Sequence, residues 1–142
     1  MSAQATRTKT NTVLLSASAL DQMGALVSLR PGRSVKDVAA TGSMQPVLDE
    51  NYIVIVEERR FADLAFGDIV IFRGGWLKGM PVAHRLVGHY GYGRGWQTKG
   101  DHCEGADPQC LTEDKYQGCV VVAAVHKTTG EVKQFVCGKE PR

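Results

Sequence analysis

Long apolar runs, paired cysteines and charge of one sign are all missing from this chain, and each absence removes a class of function. The only candidate for a membrane or export segment, "NTVLLSASALDQMGALVSL", is interrupted by Asp21 and Gln22. Its apolar block falls far short of the ~20 residues a span requires. The A-x-A at Ala17 to Ala19 follows an apolar stretch too brief for an export signal. A soluble chain is therefore expected, with no transmembrane helix and no signal peptide, its compartment left open. The net charge is only +2, and Lys and Arg are scattered without the basic stripe that phosphate neutralisation needs, so nucleic acid is disfavoured as a partner. Cys103, Cys110, Cys119 and Cys137 contain no C-x-x-C pair. Zinc sites favour short ligand spacings, so even with His102 beside Cys103 the thiols read as ordinary buried or loop residues, and no metal or cofactor is implied. Cys103 and Cys110 share an irregular loop and could bridge in an oxidising compartment. Internal repeats and low-complexity tracts are absent as well.

What remains is the composition of a folded domain. The 142 residues, 43% apolar and 23% charged, with 16 glycines and 5 prolines, describe a turn-rich globular chain. A single domain of this length buries roughly two-thirds of the surface its unfolded chain exposes. Leu15, Ala19, Met23, Leu26 and Val27 recur at helical spacing, which predicts an amphipathic helix over 12–29 that Arg30-Pro31-Gly32 stops. Beyond it the pattern turns extended. "SVKDVAAT", "NYIVIVEER" and "GDIVIFR" read as strands bounded by Gly, Asp or Asn. "VAHRLVGHY" and "WQTKGD" flank "GYGRG", whose glycines accept the positive φ of a hairpin connection, and "GCVVVAAVHK" and "EVKQFVC" repeat the theme around Thr129-Gly130. The expected fold is mainly β and antiparallel over 34–142, preceded by an N-terminal arm over 1–33 that carries the helix.

The stretch "TGSMQPVLDENYIVIV" sets a serine on a constrained corner, with Gly42 before it and Pro46 three residues after. A serine hydroxyl attacks only when a base removes its proton and its oxygen stands clear of its own backbone. Gly42 would let a substrate carbonyl approach, and Pro46 would stiffen the exit. The competing reading is a turn serine bonded to its own backbone. His89 reads as a hairpin-surface residue, His126 as a cap on the exposed end of its strand, and Trp96 and Phe72 as core aromatics. "GGWLKGMP" connects two strands. As a hairpin tip it would expose Trp76, Leu77 and Met80 to a membrane surface or a partner, with packing in the core as the alternative.

"GSMQP", "FGDIVIF", "VAHRLVG" and "TKGDHCEGAD" follow one another in this order and at these separations over about residues 36 to 125, and in this the chain resembles the signal peptidase I superfamily. The resemblance implies a LexA/signal peptidase-like antiparallel β fold and a serine endopeptidase with Ser43 as nucleophile. His84 stands where most bacterial members carry a general-base lysine, as in the archaeal and endoplasmic-reticulum branch. An imidazole, with an ordinary pKa of ~6.5, serves as a base near neutrality without the burial a lysine needs. Asp101 and Asp107 match acidic positions of that branch. Asp107 is the expected partner of His84 and Asp101 the residue that shapes the loop through backbone hydrogen bonds, although the sequence leaves the two exchangeable. His102 and Cys103 depart from the family, where Asn usually follows the Gly-Asp pair.

An oxyanion needs aimed donors, and the backbone N–H of Ser43 and the hydroxyl of Thr41 are the candidates, Thr41 equally readable as a plain strand residue. The implied substrate is an extended peptide or precursor protein with small residues before the scissile bond. It would pair with the edge of "VKDVAA" or of the strand carrying His84, which makes Val38, Ala39, Ala40, Met44 and Val82 its expected contacts. Members acting on secretory precursors are usually tethered by a transmembrane helix. Without one, a soluble specialist, a phage or mobile-element maturation protease and a truncated form all fit. Two other functions compete. A self-cleaving protein of the LexA or UmuD kind would need an Ala-Gly or Cys-Gly bond before Ser43, and none occurs there. A catalytically silent binding module on the same scaffold is kept open by the altered loop after Asp101.

Overall fold

In the computed structural model, which describes residues 15–37, 42–74, 81–90 and 95–135, the chain begins with helix α1 (Ala17–Ser28). Ser16 caps it, extended in backbone and accepting the Ala19 N–H at 3.0 Å, a contact typically worth ~1 kcal/mol. The cap explains why the helix starts at Ala17 and not at residue 12; positions 12–14 lie outside the described residues. Leu15, Ala19, Met23 and Leu26 are buried, with Leu20 and Val27 packed beside them, as the spacing predicts. These side chains share one core with the sheet, which packs the helix of the N-terminal arm onto the β region.

Among the described residues seven strands follow, all pairing antiparallel: β1 (Arg33–Lys36), β2 (Tyr52–Glu58), β3 (Ile69–Arg73), β4 (Pro81–Tyr90), β5 (Gly95–Lys99), β6 (Tyr116–His126) and β7 (Val132–Gln134). The main path runs β1-β2-β6-β3-β4-β5. β6 is its spine. One edge pairs with β2 along its length, while the other is shared by β3, at Tyr116 and Val120, and by β7, at Ala123 to Val125. The mainly β expectation holds, with a single short helix near the N-terminus among the described residues.

Neighbouring residues on a strand point to opposite faces, and here both faces are covered. Ile53, Ile55, Val70, Phe72, Val82, Leu86, Trp96, Val120 and Val122 pack with α1 on one side. Val54, Val56, Ile69, Ile71, Ala83, Val121 and Ala124 pack with Met44 and Leu48 on the other. This double burial is why "YIVIV", "IVIF" and "VVVAAV" lack the polar alternation of a one-sided sheet. Phe72 and Trp96 are core aromatics, as expected. Cys103, Cys110 and Cys119 are free thiols. The first two abut Gly100 and Gly95, at opposite ends of β5. At ~3.3 Å per residue the strand holds them far beyond the ~7 Å Cα limit for a disulfide. Burial pushes the Cys119 thiol up in pKa, Lys36 opposing and Glu58 reinforcing the shift. No helix among the described residues is long and apolar enough to cross a membrane. The loop with Trp76, Leu77 and Met80 lies outside them.

Where α1 gives way to the sheet, one buried carboxylate collects three cations. Glu57 Oε1 accepts from Arg33 Nε at 2.8 Å and lies 3.7 Å from Arg30 Nε, and Arg59 Nη2 is 3.4 Å from Oε2. Arg33 Nη1 also donates to the carbonyl of Leu26 at 2.9 Å, satisfying one of the helix's last acceptors. Burial alone would raise the Glu57 pKa. The Arg33 hydrogen bond and the charges of Arg30, Arg33 and Arg59 outweigh it, and the net direction is down from 4.5. A carboxylate whose pKa is lowered by folding stabilises the native state above its unfolded value and loses that contribution as pH falls through the lowered one. Glu57→Gln is therefore expected to lose about 1.5–3 kcal/mol at pH 7. In urea titrations at descending pH, the gap to wild type should be full above 4.5 and close on the acid side.

Candidate active site

Alternation along β4 puts His84 on the same face as Val82 and Leu86, opposite Val70 of β3. Its ring stands edge-on to Phe72, centroids 6.1 Å apart, and the residue is 3% exposed. On the other side of β4, the pairs Arg85 with Lys99 and Leu86 with Thr98 fix β5. Thr98 thus shares the face of Leu86, one step along from His84.

After β5 the chain loops out and returns beside the strand. Trp96 and Leu111 exchange both backbone hydrogen bonds at 2.9 Å, and the N–H of Asp107 donates to the carbonyl of Thr98 at 2.7 Å. The return delivers Asp107, 8% exposed, to the buried side of His84. Asp107 Oδ2 lies 2.6 Å from His84 Nδ1 and accepts the Thr98 hydroxyl at 2.6 Å. A carboxylate can only accept, so the imidazole proton sits on Nδ1 and Nε2 is left as an acceptor. Ser43 Oγ meets that nitrogen at 2.8 Å. Hydroxyl, imidazole and carboxylate form one directed chain: Ser43 donates to His84, and His84 to Asp107.

The serine reaches this point through a corner packed from both ends. Gly42 takes a φ of 79°, a conformation that side chains with a Cβ seldom adopt. Gln45 N–H returns to the Gly42 carbonyl at 3.3 Å, and Leu48 N–H to that of Met44 at 2.9 Å. Met44 and Leu48 plug the corner into the second core. From above, the loop after β5 holds it: the His102 N–H donates to the Ser43 carbonyl at 2.8 Å, and the Asp101 N–H faces the Met44 sulfur at 3.3 Å. Gly100 lies between them, next in line after Lys99 and so opposite His84. A Cβ there would come within 2.5 Å of the Ser43 carbonyl oxygen and 2.9 Å of its Cβ. Only a residue without a side chain lets the corner close on the strand.

Of the residues expected at the site, the structure brings Ser43, His84 and Asp107 together, and it resolves the choice between the two acids. The Asp101 carboxylate goes elsewhere. Both of its oxygens accept from Arg85, at 2.9 and 2.8 Å, while Arg85 Nη1 donates to the Gly67 carbonyl at 3.0 Å. Asp101 was expected to work through backbone hydrogen bonds. Its N–H does face Met44, but its side chain is half of a forked ion pair. Met44 and Val82, expected at the substrate, are instead buried in the two cores at 5% and 4% exposure. Thr41, Val38, Ala39 and Ala40 lie outside the described residues. His89 stacks on Trp96 with centroids 4.0 Å apart. His126 Nδ1 accepts the N–H groups of Thr128 and Thr129 at 3.3 and 3.2 Å, the strand-end cap that was expected. Thr98 and Gly100 were missed, since cross-strand register alone shows what they face.

No family model, curated protein or solved structure matches the chain.

Two substitutions check this geometry independently of any activity. Gly100→Ala is expected to drive the Ser43 corner off β4 and lengthen the Oγ to Nε2 separation beyond hydrogen-bonding range, as a crystal structure of the variant would read. Thr98→Val keeps the volume and deletes the hydroxyl on a buried carboxylate, so urea unfolding should show a loss of about 1.5–3 kcal/mol with an unchanged m-value.

Proposed function

We propose that this protein is a serine endopeptidase of the signal peptidase kind, cleaving an extended peptide or precursor protein after small residues through an acyl-enzyme. What carries the reading is the unbroken hydrogen-bond chain from Ser43 Oγ through His84 to Asp107, 2.8 and 2.6 Å in its two links. As a peptide carbonyl arrives, Ser43 Oγ bonds to its carbon and the hydroxyl proton passes to His84 Nε2. Asp107 then faces an imidazolium across the shorter link and stabilises it. Collapse of the tetrahedral adduct breaks the C–N bond, and His84 returns the proton to the leaving amine. Water repeats the sequence on the ester, giving its proton to His84 and releasing the acid with Ser43 restored. The Ser43 N–H serves the oxyanion, joined by the Thr41 hydroxyl on this reading. Small side chains before the scissile bond are inferred from the motif order alone.

A fluorophosphonate probe tests nucleophile and base together without knowledge of the substrate. Wild type is expected to gain one adduct, mapped to Ser43 by peptide mass. Ser43→Ala should gain none, and His84→Ala should react about 10²- to 10⁴-fold more slowly. Equal labelling of Ser43→Ala would sink the assignment.

A further inference from the structure

We infer that Lys133, on the hairpin formed by β6 and β7, grips the exit of the Ser43-bearing corner and acts as a positioning residue for the nucleophile. The inference rests on the endopeptidase reading, to which it adds a part of the molecule remote from the hydroxyl, imidazole and carboxylate.

Lys133, on β7, donates from Nζ to the carbonyl oxygens of Pro46 at 3.2 Å and Val47 at 2.9 Å. The same ammonium sits 4.5 Å above the centre of the Tyr52 ring, a cation–π contact that holds it in place. Tyr52 is braced in turn by an edge-on contact with His126, centroids 5.1 Å apart. One charged group therefore neutralises two backbone acceptors at the exit of the corner, in a stretch where Pro46 offers no N–H of its own.

Lys127 anchors the hairpin itself. Its side chain is 2% exposed and its ammonium lies 3.6 Å from Asp37 Oδ1. An ammonium so buried is held only where an opposite charge compensates it. Asp37 directly follows β1, so the ion pair ties the hairpin to the end of that strand.

The grip needs a rigid base, and the hairpin has one. Gly130 N–H donates to the His126 carbonyl at 3.0 Å and His126 N–H to that of Glu131 at 2.8 Å. Gly130, at φ 78°, leaves no room for a side chain against Ser18 of α1, and the Ser16 N–H donates to the Lys127 carbonyl at 2.9 Å. The hairpin is thereby joined to the helix as well as to β2 through β6. Without Lys133 the corner would still be held by Met44, Leu48, Gly100 and the loop after β5, and its exit at Pro46 and Val47 would lose definition.

Lys133→Met keeps the aliphatic packing on Tyr52 and removes both hydrogen bonds from a half-exposed position. The limiting rate of Ser43 acylation by a fluorophosphonate is expected to fall about tenfold, with the probe's half-saturation unchanged, because His84 and Asp107 are untouched. Lys133→Arg should restore most of the rate. A Lys133→Met rate within twofold of wild type would overturn the inference, as would a loss that arginine fails to rescue. Native-state amide exchange keeps the two ideas separable. Gln45 and Leu48 N–H groups, bonded within the corner, should exchange about tenfold faster in Lys133→Met. If wild type fails to label at Ser43, the endopeptidase reading falls and the exchange result alone decides the clamp.

Discussion

A side chain that is not there sets the central distance of this molecule. Gly100 stands opposite His84 at the point where β5 ends, and the space its Cβ would fill is taken by the backbone of Ser43. Forty-one residues separate the hydroxyl from the imidazole in sequence, and local structure gives the early segment no reason to lie against β4. Contact comes from three packed surfaces that agree: Met44 and Leu48 in the second core, the amides of Asp101 and His102 above, and the bare backbone at Gly100. Van der Waals contact is unforgiving at this scale: a Cβ at Gly100 would lie 2.5 Å from the Ser43 carbonyl oxygen, so the corner would have to move by about 1 Å to clear it.

The sheet supplies the stiffness behind this arrangement. Apolar burial on both faces leaves the central strands no solvent face along which to shift register, and a slip by one residue would send His84 to the other core. The covered faces also explain where charge is tolerated. Asp107, Glu57 and Lys127 are the buried ionisable groups whose partners have been traced. Each meets a group able to carry opposite charge, as burial in a low dielectric requires. Glu57 and Lys127 sit at the seams between α1 and the sheet and serve the fold. Asp107 differs: its partner His84 can be neutral or cationic, so the pair is complete only when the imidazole takes up a proton.

How far the sequence discloses this depends on whether a role lives in a residue type or in a contact. Ser43, His84 and Asp107 are recognisable because a hydroxyl, an imidazole and a carboxylate in ordered motifs suggest proton transfer before any coordinates exist. The strands are recognisable for a similar reason, since β-branched runs bounded by turn residues have few other readings. Met44 and Val82 misled because adjacency to a functional residue was read as adjacency to substrate, while alternation along strand and corner turns both inward. Asp101 misled in a narrower way. It was expected to shape the loop through backbone hydrogen bonds, in a role exchangeable with that of Asp107, yet the folded chain gives the Asp101 carboxylate to Arg85 and that of Asp107 to His84. Thr98, Gly100 and Lys133 carry no signature at all. Their roles are relations to a carboxylate, a backbone oxygen and two carbonyls that only the folded chain brings within reach.

On the endopeptidase reading, the burial of Asp107 has a catalytic consequence. In the resting state its Oδ2 already accepts two short hydrogen bonds, from Thr98 and from His84. The carboxylate is therefore held in place and cannot swing toward solvent when charge develops. When His84 accepts the Ser43 proton, a full positive charge appears 2.6 Å from an oxygen that neither water nor rotation can redirect. The gain from that new ion pair arises along the reaction coordinate and not before it, which is the condition for a contact to lower a barrier and not merely tighten a ground state. Were Asp107 exposed, water would screen most of the attraction, and the same three residues at the same distances would make a poorer base.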